Sequence, residues 1–172
     1  MLGEMDPLPP TPPLTHLDSS GRPTMVDVGG KAETEREAVA EGWIVLSPSA
    51  VDALKAGRTP KGDPLLVAQI AGIQAAKRTG ELIPLCHPLP LSKVDVKLEF
   101  DPEKSAVRAR ALVKVVARTG VEMEALTAVS LSLLTVYDML KAVDRGMRIE
   151  GIRLVSKKGG RSGTFDAESD HR

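Results

Sequence analysis

Thr119-Gly-Val-Glu-Met-Glu-Ala-Leu-Thr-Ala-Val-Ser-Leu-Ser-Leu-Leu-Thr-Val-Tyr-Asp-Met-Leu-Lys141 reads as one long apolar helix with charge only at its ends. Gly120 opens it, and Glu122 and Glu124 fall where the positive end of the helix dipole favours carboxylates. No charged residue lies between Ala125 and Tyr137, so the middle must be covered by other protein on nearly every side. Asp138 and Lys141 then emerge three residues apart, on one face of the next turn.

Working outward, the cover is a sheet. From Lys93 to Phe100, Val94, Val96, Leu98 and Phe100 alternate with Lys93, Asp95, Lys97 and Glu99. That is a strand with one dry and one wet face, as in an antiparallel sheet. Asp101-Pro-Glu-Lys-Ser105 turns the chain into a second strand, Ala106 to Ala117. Beyond the helix, Asp144-Arg-Gly146 makes a turn and Arg148 to Ser156 a last strand. On the N-terminal side, Val39, Trp43, Ile44 and Val45 mark a first strand over Ala38 to Ser47. Pro48 starts a short helix, Ser49 to Ala56, stopped by Gly57. After Pro64, helical spacing of Leu65, Leu66, Ala68, Ile70, Ile73 and Ala76 continues to about Thr79. Strand, helix, helix, strand, strand, helix, strand predicts an α+β two-layer sandwich, a mostly antiparallel sheet with helices packed on one face. The uninterrupted apolar helix also predicts contacts between subunits.

A chain of 172 residues suits one domain. Residues 1–23 hold prolines at 7, 9, 10, 12, 13 and 23 and are read as a flexible leader. Residues 24–165 form the single catalytic domain, within which 24–37 is read as a loop that orders on binding. Residues 166–172 are read as a frayed polar tail. The 23 basic and 23 acidic residues cancel, which argues against general attraction to nucleic acid or membranes. Four aromatic residues leave little for base stacking. A single cysteine, Cys86, excludes an internal disulfide framework and suits a reducing cytosol. The N-terminus shows no signal peptide and no apolar run reaches membrane-spanning length, so the expected location is the cytoplasm.

Three groups of residues could carry chemistry. Cys86-His87 lies between Pro84 and Pro88, which hold the loop in one shape. It is either a packed turn or a ligand contact, and no second Cys/His cluster exists to complete a zinc site. Asp138 with Lys141 is either an ordinary surface ion pair or an acid/base pair in which burial lowers the amine and the carboxylate orients it. Glu124 stands 14 residues away, roughly 21 Å along a straight helix, so the two ends cannot both touch one reacting atom from one chain. Finally, Lys61-Gly-Asp63 and Lys157 to Gly163 couple cations to glycine-supported turns, the recipe for a phosphate seat, and Arg36, Lys77, Lys158 and Arg161 are further scattered cations. Neither turn is a P-loop.

Met25-Val-Asp-Val28, Ile70-Ala-Gly-Ile-Gln-Ala-Ala-Lys-Arg-Thr79, Leu82-Ile-Pro-Leu-Cys-His-Pro-Leu89, Thr119-Gly-Val-Glu-Met-Glu-Ala-Leu-Thr127 and Tyr137-Asp-Met-Leu-Lys-Ala-Val143 together resemble the molybdenum cofactor biosynthesis protein C family, the cyclic pyranopterin monophosphate synthases. The resemblance runs in order from about Leu14 to Phe165. It implies a ferredoxin-like fold assembled as a homohexamer, a trimer of dimers with active sites at subunit interfaces. It implies a lyase that converts 3′,8-cyclo-7,8-dihydro-GTP to cyclic pyranopterin monophosphate with release of diphosphate. By the same resemblance Asp138 is the active-site aspartate, and Lys61 and Lys141 move protons. Leu85, Cys86, His87, Met123 and Glu124 hold the purine-derived end; Arg36, Lys77 and Lys157 face the phosphates; Asp27 and Glu122 line the same site. No cofactor or resident metal is implied, although magnesium could accompany the triphosphate. The competing expectation is a non-catalytic nucleotide-binding module, which would have no use for Asp138 beside Lys141.

Overall fold

The long apolar stretch forms a single helix laid across a five-stranded sheet. In the computed structural model, which describes residues 20–57, 59, 62–160 and 163–169, the chain runs β1 (Thr34–Val45), α1 (Pro48–Lys55), α2 (Pro64–Lys77), α3 (Thr79–Leu82), β2 (Lys93–Asp101), β3 (Ala106–Ala117), α4 (Glu122–Leu140), β4 (Arg148–Lys158) and β5 (Phe165–Asp166). The sheet order is β2-β3-β1-β4-β5 and every pairing is antiparallel. Around α2 and α4 this is the strand-helix-strand-strand-helix-strand arrangement of the ferredoxin-like fold. The expected α+β sandwich is what forms.

Small residues on the inner face of the sheet let the helices come close. Ala38, Ala40 and Ile44 on β1 are wholly buried and pair with Val113, Ala111 and Val107 on β3, which are dry too. Across them run Ala125, Val129, Leu133 and Val136 of α4, equally dry. α2 crosses α4 nearly backbone to backbone. A methyl group at Gly72 would lie 2.1 Å from Ser132 Oγ and 2.9 Å from the Ala128 carbonyl oxygen, so any larger residue there must push the helices apart.

The other face of the sheet is charged. Glu41 of β1 receives both Arg153 Nε and Nη2, at 3.0 and 2.8 Å, and a short hydrogen bond from Arg108. Arg110 approaches to 3.9 Å. Three arginines from the two neighbouring strands thus cover a carboxylate that is only 3% exposed.

Helix ends follow local rules. Ser47 Oγ accepts from Ala50 N at the start of α1, and the Asp63 carboxylate accepts from Leu65 N at 2.8 Å and Leu66 N at 3.3 Å at the start of α2. Asp63 thereby caps the N-terminus of α2. Asp144 stops the segment after α4 by accepting from Gly146 N and, across the fold, from Ser47 N.

Three readings change. The charged run from Thr34 to Glu37 belongs to β1, because this strand is central and its backbone pairs with β3 and, from Glu37, with β4. Phe165 and Asp166 add a short strand against Lys157 and Ser156. By length and composition α4 would suffice to cross a bilayer, yet 56% of it is buried inside the fold, which makes it a core helix. The leader up to residue 19 lies outside the described residues.

Candidate active site

Two clefts meet at the N-terminus of α4. The first, about 810 Å³, is lined by Gly30, Lys31, Thr34, Arg36, Glu37, Arg118, Thr119, Gly120, Glu122, Lys157, Lys158, Gly159 and Gly160 among others. Five of its side chains are basic and two acidic. The second, about 690 Å³, is more apolar: Val26, Val28, Ile83, Leu85, Leu89 and Met123 surround Cys86, His87 and Glu124. Lys31, Thr119, Gly120 and Glu122 line both. A third hollow, which holds Lys77, adjoins the second through Leu89 and Glu124.

Each wall has a local cause. β1 and β4 are antiparallel neighbours, so Arg36 and Lys157 project from adjacent strand ends toward the opening turn of α4. There Lys157 Nζ meets Glu122 Oε1 at 3.0 Å. The chain leaving β4 wraps Arg36: Gly159, at φ +96°, sits so near the Glu35 carbonyl that a β-carbon would approach it to 2.2 Å. Only glycine fits that conformation and that spacing. The Arg36 Nε is buried and has no hydrogen-bond partner among the described residues. On the apolar side, Leu85 adopts φ 66° between Pro84 and Cys86, a left-handed conformation that costs a non-glycine residue about 1 kcal/mol or more. That kink helps turn Cys86 and His87 to the cleft. Val121 at the N-cap supplies no side-chain cap, and the positive dipole end of α4 faces the same region.

Electrostatics set the two clefts apart. Glu124 is 4% exposed, and burial, with a smaller push from Glu122, raises its carboxyl to about 7 against backbone hydrogen bonding that favours the anion. Its neutral form is therefore favoured far more than in an ordinary carboxyl. Burial and then the Glu124 charge push the Cys86 thiol up as well, so Cys86 is a neutral contact rather than a thiolate nucleophile.

At the far end of α4, Lys141 Nζ lies 2.8 Å from Asp138 Oδ1, with both side chains about half exposed. By helix rise the pair stands roughly 21 Å from Glu124. One chain does not bring the two groups to a common point.

A family model described as the MoaC family matches residues 25–160. The chain belongs to the MoaC family. It is 58% identical over 157 residues to the cyclic pyranopterin monophosphate synthase of Thermomicrobium roseum, covering 91% of this chain and 95% of that one. It is 61% identical over 157 residues to the protein of that name from Methylobacterium nodulans (91% and 98%), and 57% identical over 152 residues to that from Nostoc sp. (88% and 90%).

Among the residues singled out for this MoaC family member by sequence, Leu85, Cys86, His87, Glu122, Met123, Glu124, Arg36 and Lys157 line the joined clefts, with Lys77 in the adjoining hollow. Asp27 stands between two cleft residues and its carboxylate accepts from Gly29 N at 2.7 Å. Asp138 and Lys141 are together but apart from the rest. Lys61 lies outside the described residues. Lys31 and Arg118 were missed as site residues, although Gly29-Gly30-Lys31 repeats the glycine-and-cation pattern that drew attention to Lys61 and Lys157.

Proposed function

We propose that this protein is a cyclic pyranopterin monophosphate synthase, a lyase of molybdenum cofactor biosynthesis acting on 3′,8-cyclo-7,8-dihydro-GTP in the cytoplasm. The observation that carries the reading is the junction of a basic cleft with an apolar one at the α4 N-terminus. A cyclised guanosine triphosphate has that same polarity, a flat ring system at one end and a polyanion at the other. Leu85, Cys86, His87 and Met123 pack on the purine-derived end, and Glu124, with its carboxyl near 7, can donate or accept a proton at the ring edge. Arg36 and Lys157 take the phosphates, with Lys77 beside them and Asp27 and Glu122 lining the junction.

Ring rearrangement requires proton transfers at several atoms, which suits amines positioned by a carboxylate. Asp138 orients Lys141, and Lys141 with Lys61 shares the acid and base work. The 21 Å separation along α4 supports a reading in which these groups serve the cleft of a second copy, the working unit being an oligomer with shared sites. The homohexamer implied by the family resemblance is the assembly proposed. The conversion involves no net oxidation, so no redox cofactor is assigned; magnesium would enter with the triphosphate as part of the substrate.

Lys141→Ala is expected to lower diphosphate release from the cyclised nucleotide by about 10²-fold or more, with the assembly intact by sedimentation. Normal turnover in that variant would remove Lys141 from the mechanism. Mixing Lys141→Ala with Arg36→Ala subunits, after dissociation and reassembly, should regain turnover that neither has alone. No recovery would argue that each site is built from one chain.

A further inference from the structure

Met25, Met123, Met139 and Met147 lie among the described residues, and the fold divides them into two pairs. Met139 and Met147 belong to the core, each 7% exposed. Met25 and Met123 are 49% and 38% exposed. Of the four, Met123 alone lines the clefts described above: it stands on the first turn of α4, in the wall of the apolar one. A thioether carries no proton, so access to the sulfur governs its reaction with an oxidant. Cys86, the other sulfur of that cleft, behaves differently. Burial and the Glu124 charge hold it as the thiol, whereas attack on an oxidant needs the thiolate. An oxidant that enters the cleft therefore meets its reactive sulfur at Met123.

The place of that sulfur gives its oxidation a consequence. Val26, Val28, Ile83, Leu85 and Leu89 supply the rest of an apolar surface in a cleft of about 690 Å³, and Met123 is the flexible, polarizable part of it. Sulfoxidation turns that part into a polar, chiral group with a new acceptor oxygen. A flat ring laid against the surface would cover the oxygen, and a buried acceptor left unpaired weakens binding. Met25 is the internal contrast. It is at least as accessible but lines neither cleft, so its oxidation should leave the ring-end surface unchanged.

We infer that Met123 is a modification site for hydroperoxides, through which oxidation reversibly blocks the apolar cleft. In the step a lone pair of the thioether sulfur forms a bond to the outer peroxide oxygen as the O–O bond breaks. The leaving hydroxide or alkoxide takes up a proton to become water or an alcohol; the sulfur is oxidised by two electrons and the peroxide reduced by two. Reversal draws on a dithiol, which removes the oxygen as water and ends as a disulfide. The loss of turnover rests on the synthase reading above; the location of the modified sulfur does not.

The test treats the full chain with hydrogen peroxide, maps the added oxygen by peptide mass spectrometry and measures diphosphate release from 3′,8-cyclo-7,8-dihydro-GTP. Met25 and Met123 should each gain one oxygen atom while Met139 and Met147 stay unmodified. KM should rise about tenfold with kcat within about threefold, and methionine sulfoxide reductases A and B with dithiothreitol should restore both. Met123→Leu should lose less than about twofold of its own untreated kcat/KM, whereas Met25→Leu and Cys86→Ser should lose as large a fraction of theirs as the wild type does. Oxygen added at Met25 but not at Met123, a Met123→Leu variant inactivated as fast as the wild type, or activity that the reductases do not restore would overturn the inference. So would a thermal unfolding midpoint that falls in step with the activity, which would assign the loss to the core. Untreated protein that releases no diphosphate would overturn the synthase reading and the claimed block together, while the peptide map would still decide whether Met123 is the sulfur modified.

Discussion

Glu41 and Glu124 are two carboxylates buried to nearly the same degree, 3% and 4% exposed, with opposite fates. Burial works to raise Glu41, but hydrogen bonds from Arg108 and Arg153 outweigh it and hold the carboxyl below its ordinary value. No cation touches Glu124 among the described residues, so burial prevails and the carboxyl rises to about 7. Depth alone therefore does not determine what a buried acid does; its partners do. Glu41 is a structural anion that ties three strands together on the outer face of the sheet. Glu124 is left close to titration at the mouth of a cleft, where a ligand can bias it.

The largest expected effect breaks the structural member. Glu41→Ala leaves three arginines without their anion and should cost about 3 kcal/mol in urea unfolding. Next comes the reactive member. Unfolded, Glu124 titrates near its ordinary 4.5, whereas folded it titrates at about 7, so the fold binds more protons across that window. Stability should then fall as pH rises from about 4.5 to 7, by on the order of 2 kcal/mol, and Glu124→Gln should abolish that slope. Glu41 has the reverse sign: its contribution is present above the ordinary carboxylate range and is lost on acidification. Arg153→Met should accordingly move the onset of acid unfolding to higher pH, at a cost of about 1 kcal/mol at neutrality. A wild-type acid profile in Arg153→Met would mean that Arg108 alone holds Glu41 charged. The smallest effect reads Glu124 through its neighbour. Removing its charge in Glu124→Gln should ease ionisation of Cys86 and speed alkylation of that thiol by iodoacetamide about two- to threefold.

Much of the fold was legible because periodicity is strong where one face is dry. The alternation over Lys93 to Phe100 and the uncharged run from Ala125 to Tyr137 coincide with β2 and the middle of α4. Thr34 to Glu37 escaped because its residues are all polar: Thr34, Arg36 and Glu37 line the cleft, and Glu37 also pairs with Lys114 and Lys158. Such a segment becomes a strand through pairing with its neighbours, which no local pattern records. The ion pair of Asp138 and Lys141 could be read from spacing alone. The cleft itself could not, because it joins segments near residues 30, 36, 86, 120 and 158 that meet only once the sheet order is known. Arg118 illustrates the difficulty, since nothing nearby in sequence marks it out from any other strand-end cation.

The crossing of α2 and α4 also governs where the chain tolerates changes in length. Because α4 carries groups of consequence at both ends and is locked at its middle against Gly72 and the small residues of β1, it behaves as a fixed ruler. One residue inserted between Ala128 and Ser132 would rotate everything beyond it by about 100° and advance it about 1.5 Å. Asp138 would leave its face and Leu133 would turn out of the core. Insertions and deletions should therefore be confined to connections such as Asp101 to Ser105, where the hairpin can absorb them, and α4 should keep a constant number of residues between Glu124 and Asp138.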